Sequence, residues 1–190
     1  DYTDSSCPAL LLEPQRTNII THSEYIASWT TPTSAQMESN SIVSPEGIQN
    51  ATKLIKTVSS SSWIRQLPSV TIGQKQVISC FAKAGNNDIF NITYYDATDG
   101  DRFFNYDLSD ETISGNGLSN ATYVDSGIED YGNGWYRCYV IVTAGNATPQ
   151  IQMAVGTNRT GPANDYIYLY GAQHEQNASY MTSYIPTYGS

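Results

Sequence analysis

Charge is scarce in this chain of 190 residues: Asp, Glu, Lys and Arg make up 14% of it, against about a quarter in an ordinary soluble domain. What charge there is runs one way, with 18 acidic and 9 basic side chains and a formal net charge of −9. An acidic surface repels phosphate, which argues against nucleic acid and anionic lipid as partners. A polyanionic glycan fits only where Arg or Lys cluster locally. Histidine is limited to His22 and His174, and cysteine to Cys7, Cys80 and Cys138. No two of these stand at a zinc spacing. An odd cysteine count leaves at least one thiol free. Cys80 and Cys138 fall within strand patterns and read as small buried apolar groups; a disulfide between them requires facing neighbours. No apolar run approaches the ~20 residues of a membrane helix, so no membrane insertion is expected. Neither a signal-type segment, a Gly-x-Ser-x-Gly elbow nor a glycine-rich phosphate loop occurs. The polar opening at Asp1 reads as the start of an internal domain of a longer protein.

Also missing is any apolar pattern of helical period and length. The chain instead holds 15 Tyr, many Ser, Thr and Asn, and short alternating runs between turn signals. Strands are expected at 9–12, 51–58, 63–72, 76–84, 89–95, 102–108, 121–125, 135–143, 150–155 and 166–174. Turns fall at Gly73, at 85–88, at Asp99-Gly100 and at 132–134. Residues 30–50 and 109–120 read as loops. About ten strands at roughly 8–14-residue spacing predict an all-β fold, an antiparallel β-sandwich or jelly roll in two sheets, with residues 1–190 as one domain.

Such sandwiches work by presenting a surface, so the search is for a binding face. The carboxylates cluster in turns (Asp96, Asp99 and Asp101; Asp107, Asp110 and Glu111; Glu129 and Asp130). Asp favours turns for structural reasons, although turn carboxylates also build calcium sites. Trp29 and Trp135 read as core-sealing. Trp63, after four serines, reads as an exposed ring beside Arg65, one that stacks on a sugar. Alternation then sorts each strand into two faces. One is apolar; the other mixes amides with an aromatic or a charge. The candidate ligand contacts are Trp63, Arg65, Phe81, Asn91, Tyr95, Arg102 and Gln152, taken from both faces because the sequence does not pair the strands.

An ordered set of segments carries a resemblance: LLLEPQRTN (10–18), SEYIASWT (23–30), QLPSVTIGQKQVISCFAKAG (66–85), FNYDLSD (104–110), GNGWYRCYVIVTA (132–144) and YLYGAQHEQNASYMTSYIPT (168–187). Together they resemble a carbohydrate-binding-module-like jelly-roll domain of phage tail-fibre and virion surface proteins, also appended to polysaccharide-degrading enzymes of marine bacteria. The resemblance covers nearly the whole chain and is most specific at EPQRTN and TSYIPT. It implies polysaccharide binding without catalysis, a secreted or virion-surface location, and parent enzyme or fibre domains as partners. It also implies a structural Ca2+ between the first and last strands. The closing stretch 168–172 holds no carboxylate, which leaves Glu24 and Asp165 as loop ligands. Glu13, Arg16 and Asn18 match the signature and read as a polar cluster tying the two termini together. The alternative is a structural or oligomerisation domain of a fibre with no glycan ligand. A third reading, a lyase or hydrolase, requires Arg102, Tyr94 and His174 to converge.

Overall fold

The computed structural model describes residues 13–30, 34–97, 100–117 and 121–189. Cys7 and the expected strand at 9–12 lie outside them, as does Asp99 of the expected hairpin turn. Among the described residues eleven strands form, in chain order: β1 Ala35–Ile42, β2 Ala51–Lys56, β3 Ile64–Gln66, β4 Lys75–Ala84, β5 Ile89–Asp96, β6 Gly100–Asp107, β7 Thr112–Gly117, β8 Thr122–Asp130, β9 Trp135–Thr143, β10 Gln150–Val155 and β11 Tyr166–Gln176. They pair antiparallel in two sheets, of order β1-β2-β11-β4-β9-β8 and β3-β10-β5-β6-β7. From β2 to β5 the chain crosses between sheets at every strand, and it does so again from β9 to β11. The expected β-sandwich is the observed fold, and that crossing pattern is a jelly roll's. Among the described residues no helix is long and apolar enough to cross a membrane.

Four elements differ most from expectation, one of them β8, which runs on to Asp130 where a strand at 121–125 was expected. β1 and β7 form where loops were expected: β1 is polar and largely exposed, and both are outer strands of their sheets. Such strands need no apolar alternation. The run at 63–72 yields only three strand residues, because Pro68 has no N–H to continue the ladder.

The core lies between the sheets. Leu54, Ile78, Cys80, Ala82, Val140, Ile167 and Leu169 face Ile64, Phe90, Ile92, Tyr94, Phe104, Ile151 and Met153, all at most 3% exposed. The Tyr106 hydroxyl satisfies itself by donating to the Tyr139 carbonyl of the opposite sheet at 2.7 Å. Cys80 and Cys138 are cross-strand neighbours in the β4–β9 ladder, both buried and both free thiols. Their burial pushes both thiols above their ordinary range. Trp29 and Trp135 are buried, their indole N–H groups donating to the carbonyls of His22 and Val43.

In β11 the alternation is broken once. Gly171 has φ 58°, and the register against β4 shifts between Tyr170 and Gln173. A Cβ there would meet the Phe81 ring at 2.9 Å. The bulge swaps faces. Ile167 and Leu169 face the core before it, Ala172 after it, which turns Gln173 and Glu175 outward. These two hold the C-terminal segment: Gln173 Oε1 accepts from the Ile185 N–H at 2.7 Å, and Glu175 Oε1 from the Thr182 hydroxyl at 2.6 Å. The same segment is tied to the chain's beginning. Asn18 Nδ2 donates to the Ala172 and Ile185 carbonyls, Arg16 to the Asn177 carbonyl, and the Glu13 carboxylate accepts from the Ser183 N–H. Residues past β11 thus pack on the outer face of the six-stranded sheet.

Candidate functional site

The C-terminal residues pack on the six-stranded sheet, so the candidate face is the outer side of the five-stranded one. Directly paired residues share a face, so the ladders bring Arg65, Gln152 and Thr93 into one row and Gln150, Tyr95 and Asp101 into another. Trp63, two residues before Arg65, joins them. A shallow hollow of about 320 Å3 forms there, lined by Trp63, Arg65, Tyr95, Asp101, Gln150, Gln152 and Arg159.

Arg159 reaches this face from the short loop after β10. The loop turns at Gly156 (φ 86°), where a Cβ would lie 2.0 Å from the Thr160 carbonyl oxygen. Asn158 (φ 50°) and Arg159 (φ 67°) are then both left-handed. Asn tolerates this conformation; Arg does so only when its surroundings fix it. Those surroundings are dense. Asn105 and Asn158 exchange hydrogen bonds, Asn105 Nδ2 donating to Asn158 Oδ1 (2.9 Å) and the Asn158 N–H to Asn105 Oδ1 (2.8 Å). Lys56 Nζ, buried, donates to the Arg159 carbonyl at 2.8 Å and the Ser60 carbonyl at 3.0 Å. Desolvation lowers the Lys56 pKa, against the pull of the nearby Asp165 carboxylate.

Held this way, the Arg159 guanidinium lies over the Trp63 ring (4.7 Å) and the Phe103 ring (4.8 Å). One nitrogen donates to Asp101 Oδ2 at 2.6 Å and the other to Gln152 Oε1. Gln152 Nε2 donates to Gln150 Oε1, which also accepts from Arg65 Nη1, each at 3.1 Å. One polar chain therefore runs from Asp101 through Arg159, Gln152 and Gln150 to Arg65. Four of the seven lining residues still carry a buried polar atom with no protein partner: Trp63 Nε1, Arg65 Nε, Asp101 Oδ1 and Arg159 Nε. Buried polar atoms are nearly always satisfied within a fold, so this concentration marks the hollow.

Of the seven ligand candidates, Trp63, Arg65, Tyr95 and Gln152 meet in this hollow. The other three lie elsewhere. Asn91 is on the same face but fully buried under the loop, donating to Asn105 Oδ1 at 2.8 Å and accepting from the Thr93 hydroxyl at 2.6 Å. It is an anchor, not a surface amide. Arg102 pairs across the ladder with Tyr94, whose side chain faces the core, so it points away from the hollow. It lines a separate cavity with Phe104, Ile113 and Tyr123. Phe81 belongs to the other sheet and is 3% exposed, ringed by Tyr131, Tyr170 and Tyr184 at centroid distances of 4.8–6.1 Å, with Arg137 at 5.3 Å. Sequence reasoning missed Asp101, Gln150 and Arg159. Gln150 and Asp101 were legible by parity, two residues from Gln152 and Phe103. Arg159 was not, because a loop has no period.

Glu24 and Asp165, the expected loop ligands for Ca2+, have different surroundings. Asp165 accepts from Asn87 Nδ2 at 2.7 Å beside Lys56, before β11 begins. Glu24 lies in a different hollow, with His22, Tyr25, Asn40, Asn50 and Tyr188. Burial and the neighbouring Glu46 raise its pKa, against the Tyr188 and Tyr170 hydroxyls. Among the described residues no three His, Cys, Asp or Glu side chains gather as metal ligands. Nor does a catalytic trio form. His174 is fully buried in β11, its Nε2 3.0 Å from Gln76 Oε1, while Arg102 and Tyr94 belong to the other sheet.

No protein-family profile matches the chain, and no curated protein matches it in sequence. Among solved structures it is similar to the enzymatically active domain of tailspike protein 4 of bacteriophage CBA120, at 13% identity and a TM-score of 0.49. That likeness covers 84% of this chain and 21% of the other, so the chain spans about a fifth of that structure's length. It is also similar to the CBM22-1 xylan-binding domain of Xyn10C from Paenibacillus barcinonensis, at 9% identity and a TM-score of 0.49, covering 89% of this chain and 100% of that one.

Proposed function

We propose that this chain is a non-catalytic carbohydrate-binding module, and that it binds polysaccharide in the hollow formed by Trp63, Arg65, Tyr95, Gln150 and Gln152. The observation that carries this reading is the meeting of two partly exposed aromatic rings, Trp63 and Tyr95, with the Gln150 amide and the Arg65 guanidinium, whose Nε has no protein partner. A pyranose ring needs that combination: an apolar face for an aromatic ring and equatorial hydroxyls for amide and guanidinium groups. The hollow is at the small end of ligand-site volumes (~300–1,000 Å3), which suits a surface that grips a few units of a long polymer.

Chemistry is not supported at this site. Glycoside hydrolysis uses two carboxylates facing across the bond; the hollow has Asp101 alone, and Arg159 occupies it. The module acts outside the cell, in a secreted polysaccharide-degrading enzyme or on a virion fibre. A glycan array followed by calorimetry tests the reading. Saturable binding to one glycan class, lost in Trp63→Ala and without new reducing ends or unsaturated products, is expected; binding unaffected by Trp63→Ala overturns it.

One observation favours the alternative of a structural fibre domain. Tyr123 (46% exposed) and Val124 (37%) lie on β8, the outermost strand of the six-stranded sheet, where a second chain could pair. A stable oligomer in sedimentation, together with no glycan binding, establishes that reading instead.

A further inference from the structure

The hollow carries a charge opposite to that of the molecule. The chain has a net charge of −9 with nine basic residues in all, yet two of these, Arg65 and Arg159, line the same small site. Its one carboxylate is Asp101, which Arg159 engages at 2.6 Å. Arg65 is left over. Among the described residues no carboxylate lies within ion-pair distance of it: the two ion pairs are Lys53–Glu38 and Arg159–Asp101. Arg65 Nη1 donates to Gln150 Oε1, and its Nε is buried with no protein partner.

A half-buried guanidinium with unused donors is costly to desolvate unless a partner completes it. Its fork of N–H groups matches a planar or tetrahedral oxyanion in two-point fashion, and the charge-assisted bonds so formed are about twice as strong as those to a neutral hydroxyl. The net charge of −9 repels an anionic polymer, so such a polymer needs a local basic site like this one. Resting on the glycan-binding reading above, we propose that the ligand is an acidic polysaccharide. An anionic substituent of one sugar unit seats on Arg65, and the apolar face of that unit lies against Trp63 and Tyr95. A uronate carboxylate and a sulfate ester share the required chemistry, and the test separates them.

The whole chain is titrated with polygalacturonate, alginate and chondroitin sulfate, each beside its neutralised counterpart (carboxyl-reduced, and for chondroitin sulfate both carboxyl-reduced and desulfated, with the singly treated forms alongside), and with neutral xylan and β-glucan. At least one acidic polymer is expected to bind, and its neutralised counterpart to bind about tenfold more weakly or worse. Loss on carboxyl reduction identifies a uronate, and loss on desulfation a sulfate ester. Arg65→Gln is expected to abolish the preference, and Arg65→Lys to retain part of it as a point charge without the fork. The preference should shrink as salt rises from about 0.05 to 0.5 M. Because the polymer pairs are compared on the unaltered chain, the test stands even where a variant folds poorly. Equal binding within every pair, or binding of neutral glycans alone, overturns the acidic assignment and leaves the glycan-binding reading intact. Binding to none of these polymers and none on the array overturns both.

Discussion

The Arg159 guanidinium carbon stands 4.7 Å from the centre of the Trp63 ring. Trp63 precedes the three-residue strand β3, so little backbone structure positions it. Arg159 does so from the far side of the hollow, and the loop carrying Arg159 is in turn pinned by Asn105, Asn158 and Lys56. The binding face is thus a property of a loop seated on a sheet, and its stability and its affinity are coupled through that seat.

The left-handed backbone at Arg159 gives a way to separate side chain from main chain. Arg159→Ala loses the Asp101, Gln152, Trp63 and Phe103 contacts and keeps the backbone strain. Arg159→Gly loses the same contacts but relieves the strain, which costs a non-glycine residue roughly 1–2 kcal/mol. Urea denaturation should therefore show both variants less stable than the parent, with the glycine variant the more stable of the two by about 1 kcal/mol. Equal stability would mean that the loop has abandoned its left-handed turn.

Trp63 and Phe81 should respond oppositely to truncation. Trp63 is partly exposed in the hollow, so Trp63→Ala should abolish glycan binding while costing the fold about 1 kcal/mol or less. Phe81 is enclosed between β4 and the C-terminal segment, and Phe81→Ala should cost about 3–5 kcal/mol. Binding per folded Phe81→Ala molecule should be unchanged. Calorimetry of both variants at a temperature where each is folded decides it; a binding loss in Phe81→Ala moves the site to the other sheet.

That contrast also shows how far the sequence could be read. Period-2 alternation assigned the core and outer faces of β4, β5, β6 and β10 correctly, because the side facing the other sheet takes apolar residues at every second position, even in β4, β5 and β10, whose outer faces are also largely buried. Trp63 is legible from its serine-rich flank and Arg65 from its place on the same side of the strand, whereas Tyr95 and Gln152 emerge from the alternation rule. Phe81 obeys it too, on an outer face, but that face is covered by residues 177–189, which no periodicity within β4 can foretell. Arg102 was separable in principle, since Asp101 and Phe103 hold the opposite parity. β1 and β7 escaped notice because outer strands carry no apolar code. Asn91 was read correctly as an outward amide and wrongly as a free one, for the loop that buries it comes from more than 60 residues away in sequence.

Asn91 should therefore behave as a structural residue. Removing its amide leaves the Asn105 and Thr93 partners unsatisfied beneath the loop, at a cost of about 1–3 kcal/mol. The loop that it helps to seat contains Arg159, 8% exposed and hence poorly accessible to trypsin. Asn91→Ala should accelerate tryptic cleavage after Arg159 under native conditions, as read by mass spectrometry. Unchanged cleavage with reduced glycan affinity would instead make Asn91 a direct ligand contact.

His174 makes the fold sensitive to mild acid. In the unfolded chain its imidazole titrates near 6.5; in the folded protein, burial pushes it down to about 3. Between those values the unfolded chain holds a proton that the folded one refuses, so stability falls as pH is lowered. The slope from this residue is about 1.4 kcal/mol per pH unit. Its contribution is complete above about pH 6.5 and is lost progressively below it, about 2 kcal/mol by pH 5. Asp107, held down by hydrogen bonds from Ser109, loses stability only at lower pH. Glu24, raised by burial, acts in the opposite direction, since its folded form keeps the proton longer. Urea unfolding at pH 7, 6 and 5 isolates the histidine when the parent is compared with His174→Gln, whose amide can still donate to Gln76. The parent should lose about 2 kcal/mol more than the variant over that range. Parallel curves would mean that the imidazole is protonated inside the fold, with water or a carboxylate reaching its Nδ1.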